Sequence, residues 1–260
     1  MKKLLSFSII IVNWNSSDVL KKCVKSIFSS RKTNCILDKV IIVDNNSSDN
    51  SLIWLDLIDL PLKIIRNKKN YGFAKANNIG AEKLKSDFIL FLNPDTVIFN
   101  NTFVDMFSTI KYNNFENIGI YGIQLQNEIG EIQKTCANFP TIWNLFIKSI
   151  GLNKINNTIF KVSTMDYWDH KNSCIVDEVI GAFFLVRTDL FIKVKGFDER
   201  FFVYYEELDF CKQISDLGFK TKFISEAQAI HYGCSSSNQV KAQRLLYNSQ
   251  SKILYTLKLL

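Results

Sequence analysis

Glycine is scarce in this chain, ten in 260 residues, and the first of them is Gly72. The opening apolar run, Phe7 to Val12, therefore passes into Asn13-Trp14-Asn15-Ser16-Ser17 with no glycine to let a backbone approach a pyrophosphate. A G-x-G-x-x-G dinucleotide loop and a Walker A loop are both excluded on their most necessary element. Any phosphate chemistry must then be handled by a metal rather than a glycine cradle. The six cysteines, Cys23, Cys35, Cys136, Cys174, Cys211 and Cys234, never fall in C-x-x-C spacing. That removes zinc ribbons and thioredoxin-like motifs and leaves buried reduced thiols as the expectation. No zinc-finger spacing and no RNP-like aromatic-basic motif is present, so nucleic acid is not an expected partner.

Long apolar runs are missing too, and none approaches a membrane span. Met1-Lys2-Lys3 and the apolar stretch after it imitate a signal peptide. They lead into Asn13-Trp14-Asn15 with no small-residue cleavage site, and fit a buried first strand better. Acidic residues stop at Glu226, while Lys241, Arg244, Lys252 and Lys258 follow, within a net charge of +7. A basic tail suits an anionic membrane surface or a diphosphate-bearing substrate. The alternative is a lysine-rich composition that only keeps the chain soluble. With 47% apolar and 22% charged residues, the composition is that of an ordinary globular protein and excludes disorder and fibrous repeats.

What is present is an alternation. Phe7 to Val12 reads as a strand, and Val19, Leu20, Cys23, Val24, Ile27 and Phe28 fall on one face of a helix, with Ser16, Ser17 or Asp18 available as its cap. Val40 to Val43 is a second buried strand. It ends at the loop Asp44-Asn45-Asn46-Ser47-Ser48-Asp49, ahead of a short helix through Leu55. A third strand, Leu62 to Arg66, precedes Asn70-Tyr71-Gly72-Phe73, which opens a helix through Lys85. The run Phe88 to Leu92 stops at Asn93-Pro94-Asp95, where Pro94 cannot join a ladder. Such βαβ units predict an α/β fold with a mostly parallel sheet, and Asp95 at its carboxyl edge, where ligands bind.

After Ile118 the pattern changes. Ile118 to Gln126 and Ile129 to Gln133 read as a hairpin around Asn127-Glu128. Between Asn138 and Asp177, the rings of Phe139, Trp143, Phe146, Phe160, Tyr167 and Trp168 sit in an irregular stretch and are read first as core, with stacking on a sugar or lipid as the alternative. Val179 to Val186 is a buried strand, Arg187-Thr188-Asp189 a helix start, and Gly196-Phe197-Asp198-Glu199 a turn. Glu206, Glu207 and Asp209 fall in the first turn of a helix that ends at Gly218. Three acids exceed what the helix dipole asks for, and one facing a cleft would serve as a general base. Phe219, Thr221 and Phe223 alternate as an edge strand. His231 is either a hydrogen-bonded structural residue or, with Asp95, a metal ligand. From Asn238 to Leu260 the apolar positions lie among basic ones, as in a surface-seeking amphipathic helix, or one docked on its own domain.

Taken in order, these segments resemble the family 2 glycosyltransferases of GT-A fold, most closely the bacterial rhamnosyltransferase-like members of cell-surface polysaccharide assembly. The matching stretches are Ser8 to Asn15, Val43 to Asp49, Asn70 to Gly80, Leu92-Asn93-Pro94-Asp95-Thr96, Gly196 through Asp209, and His231 with the glycine and serines after it. Six motifs in the family's order carry the resemblance from Ser8 to Ser237.

The resemblance implies a GT-A domain over residues 1–235, a mostly parallel sheet with helices on both faces and a small antiparallel portion, with a nucleotide-sugar half to about 97 and an acceptor half to 235, then a basic amphipathic helix over 236–260. It implies that Asn13, Asn15 and Asp44 line a nucleoside pocket, and that Gly72, Phe73 and Asn77 close over base and sugar. Val12, Asn67 and Asn93 belong to the same nucleotide-sugar surface. Asp95, helped by His231, would hold Mn2+ or Mg2+ on the donor diphosphate, and Glu207 takes the place of the catalytic base. The family's usual Glu-Asp is here Glu206-Glu207, so either glutamate could reach the acceptor, and its usual Asp-x-Asp is here Asn93-Pro94-Asp95. The implied activity is inverting transfer from a nucleotide diphosphate sugar, dTDP-L-rhamnose first, to a saccharide or lipid-linked saccharide. A UDP-hexose donor and a non-catalytic sugar-nucleotide or glycan-binding module are the alternatives. The expected location is the cytoplasm, with peripheral contact on the inner face of the membrane.

Overall fold

The computed structural model describes residues 4–112, 117–144, 165, 167–233 and 241–260. Its strands are β1 (Leu5–Asn13), β2 (Cys35–Asp44), β3 (Leu62–Arg66), β4 (Phe88–Leu92), β5 (Thr96–Ile98), β6 (Ile118–Gln126), β7 (Cys136–Ala137), β8 (Cys174–Val176), β9 (Glu178–Val179), β10 (Phe183–Arg187) and β11 (Lys220–His231). The helices are α1 (Ser17–Ser29), α2 (Phe73–Ala81), α3 (Thr102–Tyr112), α4 (Thr188–Lys193), α5 (Glu206–Asp216) and α6 (Lys241–Leu259).

One mixed sheet runs β3-β2-β1-β4-β10-β6-β11-β5, with β8 also on β11. β3, β2, β1 and β4 are parallel, as the alternation predicts, and β10 enters antiparallel to both β4 and β6. Both faces are covered, which is why the central runs Ile9 to Val12, Val40 to Val43 and Phe88 to Leu92 are continuously apolar. Phe7, Ile9 and Ile11 of β1 face α1 and α3, whereas Ile10 and Val12 face the side of α2, α4 and α5. β4 divides the same way, with Leu90 toward one layer and Phe91 toward the other. Phe91 is fully buried among Phe184, Phe191 and Phe197. Truncating such a ring to alanine costs about 3–5 kcal/mol.

The structure corrects several expected boundaries. α1 is not capped by a serine of its own, since Ser16 makes no side-chain cap bond. Instead Asp49, from the loop after β2, accepts from the backbone N–H and the hydroxyl of Ser17, both at 2.8 Å. The short helix is a single 3-10 turn, Leu55–Leu57. α2 stops at Ala81, because the chain turns through Lys83 at φ 64° to bury Leu84 before β4. The hairpin after β6 shrinks to one bridge, Gln126 to Ile132, since β6 takes β10 and β11 as its ladder partners. Val179 to Val186 is split at Ile180-Gly181-Ala182. The Phe219 to Phe223 segment is no edge, because β11 pairs with β6 and β8 there, and His231 ends the same strand.

The aromatic stretch divides. Phe139 and Trp168 pack on the core, while Trp143 and Tyr167 are exposed. Phe146, Phe160 and Cys234 lie outside the described residues. The other five cysteines are free thiols, four of them buried. No helix among the described residues is long and apolar enough to cross a membrane.

Candidate functional site

A cleft of about 570 Å³ opens at the carboxyl ends of β1 and β4. Of the residues expected in a nucleotide-sugar site, Val12, Gly72, Phe73, Asn93, Asp95 and His231 line it. Trp14, Asn45, Asn70, Phe202, Tyr204, Gln243, Arg244 and Tyr247 line it as well.

Asp95 is delivered by the turn that Pro94 imposes after β4, closed by the Thr96 N–H on the Asn93 carbonyl at 3.1 Å. β5 then pairs antiparallel with the end of β11, Thr96 opposite His231. That register sets His231 Nε2 3.5 Å from Asp95 Oδ1. Gln133 orients the imidazole. Its amide nitrogen donates to the His231 carbonyl at 2.8 Å, and its amide oxygen lies 3.0 Å from Nδ1. The first bond fixes which end of the amide is oxygen, so in a neutral ring Nδ1 carries the hydrogen and Nε2 presents its lone pair toward Asp95. One carboxylate oxygen and one imidazole nitrogen form a donor pair suited to Mn2+, with phosphate oxygens and water left to complete the shell. No cluster of three or more His, Cys, Asp or Glu occurs among the described residues, so the protein side of such a site is sparse.

The remaining nucleoside-side residues hold the loops rather than face the cleft. Asn13 and Asp44 are register partners at the ends of β1 and β2. Both are buried, with Asn13 Nδ2 on Asp44 Oδ1 at 2.7 Å and also in reach of Ser47 and Ser51. Asn15 accepts from the Ser48 N–H at 2.8 Å, and its own N–H reaches Ser47 Oγ. Asn67 donates to Asn45, which donates to the Gly72 carbonyl, at 2.8 and 3.0 Å. Asn77 is buried and donates to the Phe73 carbonyl at the base of α2.

Gly72 opens α2 at φ 83°. A Cβ there would stand 2.4 Å from the Phe202 carbonyl oxygen, the same oxygen that accepts from the Phe73 N–H at 2.6 Å. The loop before α2 and the segment before α5 are thus latched together at a point with no room for a methyl group. Asn78 reinforces the contact by exchanging two hydrogen bonds with Phe197, at 2.8 and 2.9 Å.

Glu206 and Glu207 begin α5 after two consecutive residues in the left-handed region, Tyr204 at φ 70° and Tyr205 at φ 71°. The two carboxyls are hydrogen-bonded to each other. Burial, then the charge of Glu207, pushes the Glu206 carboxyl well above its ordinary range. Burial also raises Glu207, opposed by its own backbone N–H, by the proton of Glu206 and by the Gly181 N–H. Of the two, Glu206 is the carboxyl whose protonated form the fold favours more strongly. A Cβ at Gly181 would lie 3.7 Å from both Glu207 Oε1 and the Phe73 ring. The next carbonyl, Ala182, accepts from the Asn93 N–H and the Thr96 hydroxyl. Gly181-Ala182 thus connects the glutamate pair to the Asp95 turn.

The cleft residues that sequence reading missed come from the loops and from α6. Trp14, Asn45, Asn70, Phe202 and Tyr204 stood inside the quoted motifs without being singled out. Arg244 and Tyr247 carried no signal beyond the basic tail.

Known proteins give a consistent picture. The family model "Glycosyl transferase family 2" matches residues 8–171. Rhamnosyltransferase WbbL of Escherichia coli is 26% identical over 263 residues, covering 95% of this chain and 91% of WbbL. An N-acetylglucosaminyl-diphospho-decaprenol L-rhamnosyltransferase of Mycobacterium tuberculosis is 29% identical over 75 residues, 29% of this chain and 24% of that protein. Among solved structures, GalNAc-T7 with UDP, GalNAc and Mn2+ superposes with a TM-score of 0.65 at 17% identity, over 88% of this chain and 43% of that one.

Proposed function

Because the chain belongs to glycosyl transferase family 2 and has the GT-A fold of a glycosyltransferase enzyme, we propose that it transfers L-rhamnose, with inversion, from dTDP-L-rhamnose to a saccharide or lipid-linked saccharide. The observation that carries the reading is the linkage of two chemistries through Gly181-Ala182. At one end is the Asp95–His231 pair at the sheet edge, at the other the buried, hydrogen-bonded Glu206–Glu207 pair. Two relatives named as rhamnosyltransferases support the sugar, and one of them is named for a diphospho-decaprenol acceptor.

Asp95 and His231 are the residues that would hold a divalent cation, as the Mn2+ in GalNAc-T7 suggests. When bound, the cation supplies charge neutralisation for the departing diphosphate. Glu207 takes the proton of the acceptor hydroxyl as its oxygen attacks the anomeric carbon and the bond to the diphosphate breaks with its electron pair. Glu206, in its protonated form, donates a hydrogen bond to Glu207 and so holds the base in place. Asn45, Gly72 and Phe73 wall the donor, and Trp14 and Phe202 offer rings for the base or sugar to stack on. Residues up to about 97 form the donor half and 98–235 the acceptor half. A UDP-hexose donor is the second reading, favoured by the UDP in the GalNAc-T7 structure.

α6 supports peripheral membrane contact on the cytoplasmic side. It contains no acidic residue. Leu245, Leu246, Ile253 and Leu257 are each more than half exposed and share its outward side. A panel of nucleotide sugars with and without manganese tests the donor, since a ligand bound only by the native state raises its melting temperature. Stabilisation by dTDP-L-rhamnose above the UDP sugars supports the first reading, and the reverse order selects the second.

A further inference from the structure

Among the described residues that line the cleft there is one guanidinium, Arg244, and no lysine. It comes from α6, which docks across the segment before α5 at several points. The Tyr247 ring stacks on Phe202 with centroids 4.5 Å apart and planes at 29°. Ser251 Oγ donates to the Val203 carbonyl at 2.8 Å. Tyr255 is fully buried with Phe201 and Leu208. Lys258 pairs with Asp198 at 3.1 Å and with Asp209 at 2.5 Å. Over three helical turns beyond Arg244, α6 is thus tied to the loop that forms one wall of the cleft.

The charge balance of the cleft calls for such a group. The donor's diphosphate, a diester, carries two negative charges and Asp95 a third, more than one divalent cation neutralises, and the leaving nucleoside diphosphate gains one more as the sugar departs. The backbone offers no glycine loop to share the load. A guanidinium presents its donors in a fork that matches two phosphate oxygens. It also strengthens its hold as charge accumulates on the leaving oxygen. We propose that Arg244 binds the diphosphate of the donor, so that the C-terminal helix contributes a phosphate clamp to the active site. This rests on the nucleotide-sugar reading above.

The test compares wild type, R244Q, R244K and, as an equal loss of charge on the remote surface of β2, K39Q. Affinity is measured for dTDP and UDP by calorimetry and for thymidine and uridine by NMR titration. R244Q is expected to weaken the better diphosphate about tenfold or more while the matching nucleoside changes less than about twofold. R244K should recover part of the loss, and K39Q should behave as wild type. Equal losses for diphosphate and nucleoside, or no loss, overturn the assignment of Arg244 while leaving the donor reading intact. A wild type that binds neither diphosphate overturns both. If R244Q does not fold, R244K decides by the same ratio of diphosphate to nucleoside loss.

Discussion

Gln133 holds His231 at both ends, giving a hydrogen bond to its backbone carbonyl at 2.8 Å and taking one from its imidazole Nδ1 at 3.0 Å. A side chain from the turn after β6 thereby decides which ring nitrogen faces Asp95. Replacing Gln133 with Leu should lower the manganese-dependent transfer rate by about 10–100-fold, with saturation shifted to higher metal concentration. An unchanged metal dependence would remove Gln133 from this role.

The glutamate pair gives two separable outcomes. Glu207→Gln should lower transfer by at least about 10²-fold while dTDP-L-rhamnose binding stays near normal; retained turnover takes Glu207 out of the base position.

Glu206 tests linkage between charge and stability. Its folded-state pKa lies above the ordinary value of 4.5, so the folded protein holds this proton more tightly than the unfolded chain. The resulting stability is complete below pH 4.5 and declines as pH rises toward the folded-state value. Glu206→Gln should therefore flatten the fall in urea midpoint above pH 4.5 and leave the mutant the more stable protein at neutral pH. A midpoint profile parallel to wild type would show that Glu206 is charged in the fold.

Gly72→Ala meets both a positive φ and a backbone oxygen at 2.4 Å. The latch between Phe73 and Phe202 has to open to admit the methyl group, at a cost of roughly 1–3 kcal/mol. The denaturation midpoint should fall accordingly, and donor affinity with it. Wild-type values for both would mean that the contact is looser than described.

The outward side of α6 is testable apart from catalysis. Changing Leu246 and Leu257 to Ser should reduce sedimentation with vesicles rich in anionic lipid, without lowering the melting temperature. Both positions face away from the docked side that carries Ser251 and Tyr255. Binding to neutral and anionic vesicles alike, or to neither, argues against the basic helix as the contact.

The parallel half of the sheet was legible because its strands are buried on both faces and their helices are amphipathic, so periodicity alone marked β1 to β4 and α1. A small antiparallel portion was expected, but the pairings of β10 and β11 were not. β10 and β11 find their neighbours through long-range ladders that local pattern does not encode, and the bulge between Ile224 and Gln228 disguised one strand as two. The site divided in the same way. Asp95 and Glu207 stand at element ends that turn residues announce, whereas Gln133 acts from a turn that looked like a hairpin arm. Arg244 reaches the cleft only because Tyr247, Ser251 and Tyr255 dock a helix whose sequence is equally suited to a lipid surface.

Two tyrosines in the left-handed region are an expensive way to start a helix, at about 1–2 kcal/mol each, where glycine or asparagine would turn the chain with less strain. The rings are the return on that choice: Tyr204 lines the cleft, and Tyr205 lies 5.7 Å from Tyr255 of α6. Removing the last turns of the chain would take away the surface against which Tyr205 rests, and the joint at 204–205 would be free to relax toward an ordinary backbone. The first place to register such a truncation would then be the carboxyl of Glu206, one residue farther on, so trimming the C-terminus should alter the proton balance of the active site before it unfolds the sheet.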